Sequence, residues 1–213
     1  MILRDRVEAG QKLAQKLMAY RDVQAVVYAL PRGGVVVGAQ IASALQKPLD
    51  LVIARKVGHP HEPEFGIAAV TENGYLVKNE RVVATVDPGW FAEEVERQRN
   101  EAKRRRELYL ADRKPIPAEG QVAILVDDGI ATGLTVEAAV VELKERRPKK
   151  IVLAVPVLPR DTARRLAAEV DELVALSIPE PFLGAISAYY LDFAQTSDEE
   201  VVQILREANR QNG

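Results

Sequence analysis

VAILVDDGIATGLTV, residues 122–136, runs from strand to acidic pair to small-residue loop to helix start without interruption. Val122, Ala123, Ile124, Leu125 and Val126 form a short continuous apolar run, the pattern of a strand covered on both faces in a parallel sheet. Asp127 and Asp128 follow at its carboxyl end, and in open α/β sheets the crevice beyond the strand carboxyl ends is where ligands bind. Carboxylates only accept hydrogen bonds, and vicinal sugar hydroxyls donate them. Gly129, Ile130, Ala131, Thr132, Gly133, Leu134 and Thr135 come next. Glycines let a backbone approach closely and successive N–H groups suit an anion. Two threonine hydroxyls add donors, and the helix expected over about 135–146 presents its positive end. Acid for hydroxyls and amides for phosphate, a few positions apart, describe a site for a ribose 5-phosphate. A Walker loop would need a Gly-Lys-Ser/Thr ending, and no lysine lies between Gly129 and Thr135. A phospho-acceptor pair would leave the glycine-threonine loop unexplained.

The motif resembles the signature of the type I phosphoribosyltransferases, a hydrophobic strand, two acidic residues and a threonine-glycine phosphate loop. The resemblance implies that Asp127 and Asp128 are catalytic, holding the ribose hydroxyls of phosphoribosyl pyrophosphate, and that Gly129 through Thr135 bind its 5-phosphate. It also implies Mg²⁺ carried on the substrate's diphosphate, with Asp127 and Asp128 as the protein's carboxylates toward it.

Upstream, Ala25 to Leu30 reads as a strand, and Pro31, Arg32, Gly33 and Gly34 turn into a small-residue helix over about 35–45. An arginine beside two glycines at such a junction is a second anion site by the same physics. In the resembled family this loop binds the pyrophosphate leaving group, which gives that role to Arg32, Gly33 and Gly34. A further strand, Leu49 to Ala54, ends in Arg55 and Lys56. Adenine-type members carry a similar arginine-lysine-x-glycine segment leading into a mobile loop, so the resemblance makes Arg55 and Lys56 pyrophosphate contacts. The His59-Pro60-His61 stretch lacks a third ligand at recognisable metal spacing and departs from the adenine-type pattern, leaving the loop's acid or base unassigned. Residues 182–193, FLGAISAYYLDF, hold four aromatics in a chain that is 5% aromatic. A base-stacking cap and ordinary packing both account for them. Purine-type members have a comparable aromatic and Leu-Asp-aromatic segment where the base binds, which points to Phe182, Tyr190 and Asp192.

The remaining pattern is scaffold. A helix is expected over 4–20, a hairpin over 66–78 turning at Glu72, Asn73 and Gly74, and a long charged helix over 88–113. Glu93 with Arg97, Arg97 with Glu101 and Glu101 with Arg105 are the i,i+4 pairs of a solvated helix. That outweighs a nucleic-acid reading of the Lys103 to Arg106 cluster. Strands follow at 150–157 and 172–178 with a helix over 160–168 between them, and Ser197 with Glu200 forms a capping box for a final helix to 209. The alternation predicts an α/β fold, a doubly wound, mostly parallel sheet flanked by helices, with a small hood formed by terminal and inserted segments. One domain over 1–213 is expected, with its core at about 25–178, an inserted mobile loop, hairpin and charged helix at about 57–117, and a hood at about 179–213.

With 213 residues, 47% hydrophobic, 28% charged, a net charge of −2 and no cysteine, disulfides and thiolate metal sites are excluded. Neither a membrane span nor a signal peptide is indicated, and a cytoplasmic location is expected. Near-neutral charge argues against broad nucleic-acid binding. The sequence therefore reads as an enzyme moving ribose 5-phosphate from phosphoribosyl pyrophosphate to a nitrogen acceptor, a nucleobase or an amine. The alternative is a regulator that senses phosphoribosyl pyrophosphate without chemistry and binds RNA or DNA. The resembled family usually pairs subunits, so a homodimer is the corresponding expectation.

Overall fold

The structure is a computed structural model that describes residues 1–111 and 113–210, residue 209 by its backbone alone. The segment expected as a hood to 213 is therefore followed only to 210. Five strands, β1 (Ala25–Ala29), β2 (Leu49–Leu51), β6 (Val122–Val126), β7 (Lys150–Val157) and β8 (Glu172–Ser177), form a sheet in the order β2-β1-β6-β7-β8. All its pairings are parallel. Strands buried on both faces need side chains that suit two cores, and the alternation supplies them. Ala25, Val27, Ala29, Val122, Ile124 and Val126 enter one core, while Val26, Tyr28, Ala123 and Leu125 enter the other. The first core is closed by α1 (Arg6–Lys16), α2 (Gly33–Leu45) and α7 (Asp198–Arg210), and the second by α5 (Leu134–Glu145) and α6 (Arg160–Ala167). Each fully buried aliphatic side chain contributes roughly 1.5–3 kcal/mol.

Helix ends follow local chemistry. Asp5 caps α1 through the Glu8 amide at 2.7 Å. In α7 the Ser197 amide donates to Glu200 at 2.6 Å, and the Glu200 amide returns to the Ser197 hydroxyl at 3.1 Å. Such a cap is worth about 1 kcal/mol.

Three differences from the sequence reading have tertiary causes. The strand expected from Leu49 to Ala54 divides: the Val52 amide still bonds Ala29 in the first sheet, but Ile53 accepts from Glu72. The chain thus changes sheets, and β3 (Ala54–His59) pairs antiparallel with β4 (Glu62–Thr71), which pairs with β5 (Leu76–Lys78). Residues 57–64, expected as a loop, are the hairpin end of this second sheet. It packs Val57, Ile67, Ala68 and Val70 against Val82 and Val83 of the single turn α3 (Glu80–Val83) and against Trp90, Phe91 and Val95 of α4 (Pro88–Leu110). The charged helix α4 is also not solvated all round. Gln98, Ala102, Tyr109 and Leu110 are buried, and Arg106, 14% exposed, pairs with buried Glu72 at 2.8 Å and Asp50 at 3.5 Å. Glu101 with Arg105 forms as expected, whereas Arg97 pairs with Glu94 rather than with Glu93 or Glu101. Among the described residues no helix is long and apolar enough to cross a membrane.

Candidate functional site

The strand order reverses between β1 and β6, because β1 leads outward to β2 while β6 leads the other way to β7 and β8. Chains leaving adjacent strands in opposite directions open a crevice at their carboxyl ends. Both small-residue loops emerge there, in register, since Ala29 pairs with Val126 and the Leu30 amide donates to the Val126 carbonyl at 2.9 Å.

The two loops pack backbone against backbone. A methyl on Gly33 would lie 1.9 Å from Asp128 Oδ2, and one on Gly34 would lie 3.0 Å from the Val126 carbonyl and 3.1 Å from Asp127 Cα. Gly33 and Gly34 are the first turn of α2 rather than a turn before it, and Arg32, at its N-cap, makes no side-chain cap bond. The Pro31–Arg32 peptide is cis. Gly133, with φ +89°, is the N-cap of α5 and has no side chain with which to cap its first amides. Uncapped amides at a positive helix end suit an anion.

Residues far away in sequence fix the phosphate-type loop. The Ile130 amide is tied to Val157 at 2.9 Å. Thr162 of α6 donates its hydroxyl to Ala131 O at 2.9 Å, and Arg165 donates to Thr132 O and, at 2.6 Å, to Glu137. Glu137 sits in the first turn of α5, and its pairing with Arg165 offsets a negative charge at that helix end.

At the acidic pair, the Asp128 amide donates to Asp127 Oδ1 at 2.8 Å. Burial, then the neighbouring Asp128 carboxylate, push the Asp127 carboxyl well above the usual range. Arg6, from the first turn of α1, donates through Nε to Asp128 Oδ2 at 2.6 Å. The Tyr190 hydroxyl donates to the Asp128 carbonyl at 2.7 Å, and burial raises that phenol's pKa, so it stays a donor.

The other expected site residues are dispersed. Arg32 lies 3.7 Å from Asp198 of α7, which also accepts from the Tyr109 hydroxyl at 2.5 Å. Arg55 donates to Gln98 at 3.0 Å, and burial with nearby Arg105 lowers its pKa. Lys56 pairs with Glu64 at 3.0 Å. Arg55 and Lys56 line, with His59, Trp90, Arg97 and Pro31 at the start of the first glycine loop, a cleft of about 460 Å³. Phe182 stacks on Tyr189 with centroids 5.5 Å apart. Tyr190 is buried and lies 4.7 Å from Phe193, and exposed Asp192 accepts from the Ala194 amide. The sequence reading missed Arg6, Thr162 and Arg165. Thr162 and Arg165 sit on a helix whose existence was legible, but no local pattern marks any of the three.

A family model described as phosphoribosyl transferase domain matches residues 3–193. Two Mycobacterium tuberculosis proteins, from strains CDC 1551 and H37Rv, carry the provisional name phosphoribosyl transferase. Each is 42% identical over 208 residues, covering 97% of this chain and 47% of their own length. The chain thus spans about half the length of these curated relatives. The crystal structure of TT1426 from Thermus thermophilus is 43% identical with a TM-score of 0.81, and the match covers 97% of this chain and 99% of that one.

Proposed function

Since this chain belongs to the phosphoribosyl transferase family, we propose that its crevice binds phosphoribosyl pyrophosphate and transfers the ribose 5-phosphate to a nitrogen acceptor, a nucleobase. The observation that carries this reading is the abutting of the two glycine loops, which sets an acidic pair between two uncapped helix ends. Asp127 and Asp128 accept the ribose hydroxyls, the 129–135 loop and α5 amides hold the 5-phosphate, and Arg32, Gly33, Gly34, Arg55 and Lys56 border the diphosphate. The acceptor nitrogen forms a bond to C1 as the C1–oxygen bond breaks, the bonding pair leaves with pyrophosphate, and the nitrogen loses its proton. Positive charge on the sugar ring in the transition state is stabilised by nearby carboxylate, and holding both reactants in line lowers the barrier further.

Among the described residues no group of three or more His, Asp or Glu side chains is placed to hold a metal. The adjacent carboxylates of Asp127 and Asp128 fit Mg²⁺ in its usual form, which draws most of its oxygens from substrate phosphates and water and one or two from protein carboxylates. When bound, the ion would neutralise charge on the leaving diphosphate. A chain without cysteine acting on a phosphorylated sugar donor is placed in the cytoplasm by the same reading.

Pyrophosphate release from phosphoribosyl pyrophosphate and Mg²⁺, across a panel of purine and pyrimidine bases, tests the proposal. Release is expected with one class of base. Asp127→Asn combined with Asp128→Asn should abolish it while the melting curve stays cooperative. Full activity in that double variant would overturn the assignment, and silence with every base together with salt-dependent nucleic-acid binding would favour the regulator.

A further inference from the structure

Asp128 is gripped by parts of the chain that the proposed reaction does not call upon. Arg6 divides its guanidinium: Nε goes to Asp128 Oδ2 at 2.6 Å, Nη1 to the Ala194 carbonyl at 2.7 Å, and the plane lies over the Phe193 ring at 3.8 Å from its centroid. Phe193 in turn rests on Tyr190, whose hydroxyl holds the Asp128 carbonyl. The Arg6 and Asp128 side chains are 12% and 17% exposed, so this is a largely desolvated pair whose geometry has energetic weight. Room for it exists only because residue 33 has no side chain, since a methyl there would meet Arg6 Nε at 2.6 Å as well as Asp128.

The division of donors matters. A bidentate fork would take both carboxylate oxygens, whereas a single Nε bond takes one lone pair of Oδ2 and leaves the rest of the carboxylate's acceptor capacity for a ligand. A residue present only to neutralise Asp128 would not need the second bond to Ala194 or the stack on Phe193. Those two contacts fix the guanidinium, and the guanidinium fixes the carboxylate.

We propose that Arg6 is the positioning residue of the sugar site: anchored on Phe193 and Ala194, it orients Asp128 to read the vicinal cis-diol of a phosphorylated pentose. This rests on the reading of the crevice as a ribose 5-phosphate site. It makes diol recognition depend on the docking of residues 190–194 against the amino-terminal helix, so that the sugar is read fully only when that C-terminal segment is in place.

Calorimetric binding of ribose 5-phosphate and of 2-deoxyribose 5-phosphate to the full chain separates the outcomes. One hydrogen bond to a charged group corresponds to roughly tenfold or more in affinity, so the wild type should prefer ribose 5-phosphate by about that factor. Arg6→Ala should bring the ratio close to one while affinity for the deoxy compound, held by the phosphate loop, changes little. Arg6→Lys keeps the cation but has no planar fork to bond two oxygens and stack, and it too should lose most of the preference; it serves as the readout if the alanine variant does not fold. A preference unchanged in Arg6→Lys or Arg6→Ala, with the wild type discriminating, overturns this proposal alone. Failure of the wild type to bind ribose 5-phosphate overturns the reading of the site, and this inference with it.

Discussion

Gly33 shows how much one missing side chain sets at this site. Its α-carbon is where α2, the Asp128 carboxylate and the Arg6 guanidinium converge, and an added methyl would fall 1.9 Å from Asp128 Oδ2. The atom in the way is the end of a side chain, so the fold can yield by pushing the carboxylate aside. That displacement moves the carboxylate on which the proposed sugar site relies. Gly33→Ala is therefore expected to remain folded, with a melting midpoint a few degrees lower from an overpacking cost of roughly 1–3 kcal/mol. Its affinity for ribose 5-phosphate should fall at least about tenfold. Wild-type affinity in titration calorimetry would show that the close approach of the loops is incidental. The sequence marked Gly33 and Gly34 as an anion loop at a strand-to-helix junction, although a Pro-Arg-Gly-Gly run taken alone is more often an ordinary turn. What they make room for was not legible there, since Arg6 meets Asp128 across 122 positions of chain.

At the scale of elements, α6 buttresses the loop that precedes α5. Thr162 and Arg165 hold the Ala131 and Thr132 carbonyls, and Arg165 pairs with Glu137. Fixing these carbonyls holds the loop in one conformation before a ligand arrives, which removes an ordering cost from binding. Arg165 is about half exposed, so its ion pair contributes little to stability. Arg165→Ala should therefore melt close to the wild type but bind ribose 5-phosphate roughly fivefold more weakly, about 1 kcal/mol of lost preorganisation. An equal loss of melting temperature and affinity would instead assign α6 a purely structural part. The helix was readable from its periodicity, and β7 spans Lys150–Val157 as expected, because a strand buried on both faces writes its boundaries as an apolar run. The partition of residues 49–59 between two sheets was unreadable. Ile53 and Ala54 are equally apolar in either, and the choice was made by the Glu72 amide bonding to Ile53.

On the scale of the whole molecule, the two sheets meet over a buried polar cluster. Glu72, 5% exposed at the β4–β5 turn, faces Arg106 of α4, with Asp50 of β2 beside that arginine and, nearby, Glu142 of α5 paired with Arg146 at the helix's C-cap. Burial, with the Glu142 carboxylate adding to it, pushes the Glu72 carboxyl up to about 7 against the opposing pull of Arg106. The folded chain then holds this proton more tightly than the unfolded chain, whose glutamic acid titrates near 4.5. The contribution to stability is complete below the unfolded value and is lost as pH rises through about 7. The melting midpoint of the wild type should accordingly be higher at pH 6 than at pH 8. Glu72→Gln, uncharged throughout, should flatten that difference. A pH dependence identical in the variant would place its origin elsewhere.

Taken by itself, the sequence determined the α/β class, the central strands β1, β6 and β7, and the position of two small-residue loops at strand carboxyl ends. Each of these is encoded by neighbours within a single element, where apolar periodicity and glycine placement act over a few residues. Tertiary structure alone decided that the charged helix buries Arg106, that residues 54–64 belong to a second sheet, and that Arg6, Thr162 and Arg165 converge on the loops. Arg6 with Asp128, Arg106 with Glu72, and Thr162 and Arg165 with the Ala131 and Thr132 carbonyls join groups 31 or more positions apart, and the change of sheet turns on the Glu72 amide reaching Ile53; the energy of each contact is set by burial and by which partner arrives, and neither is written in the local order of residues.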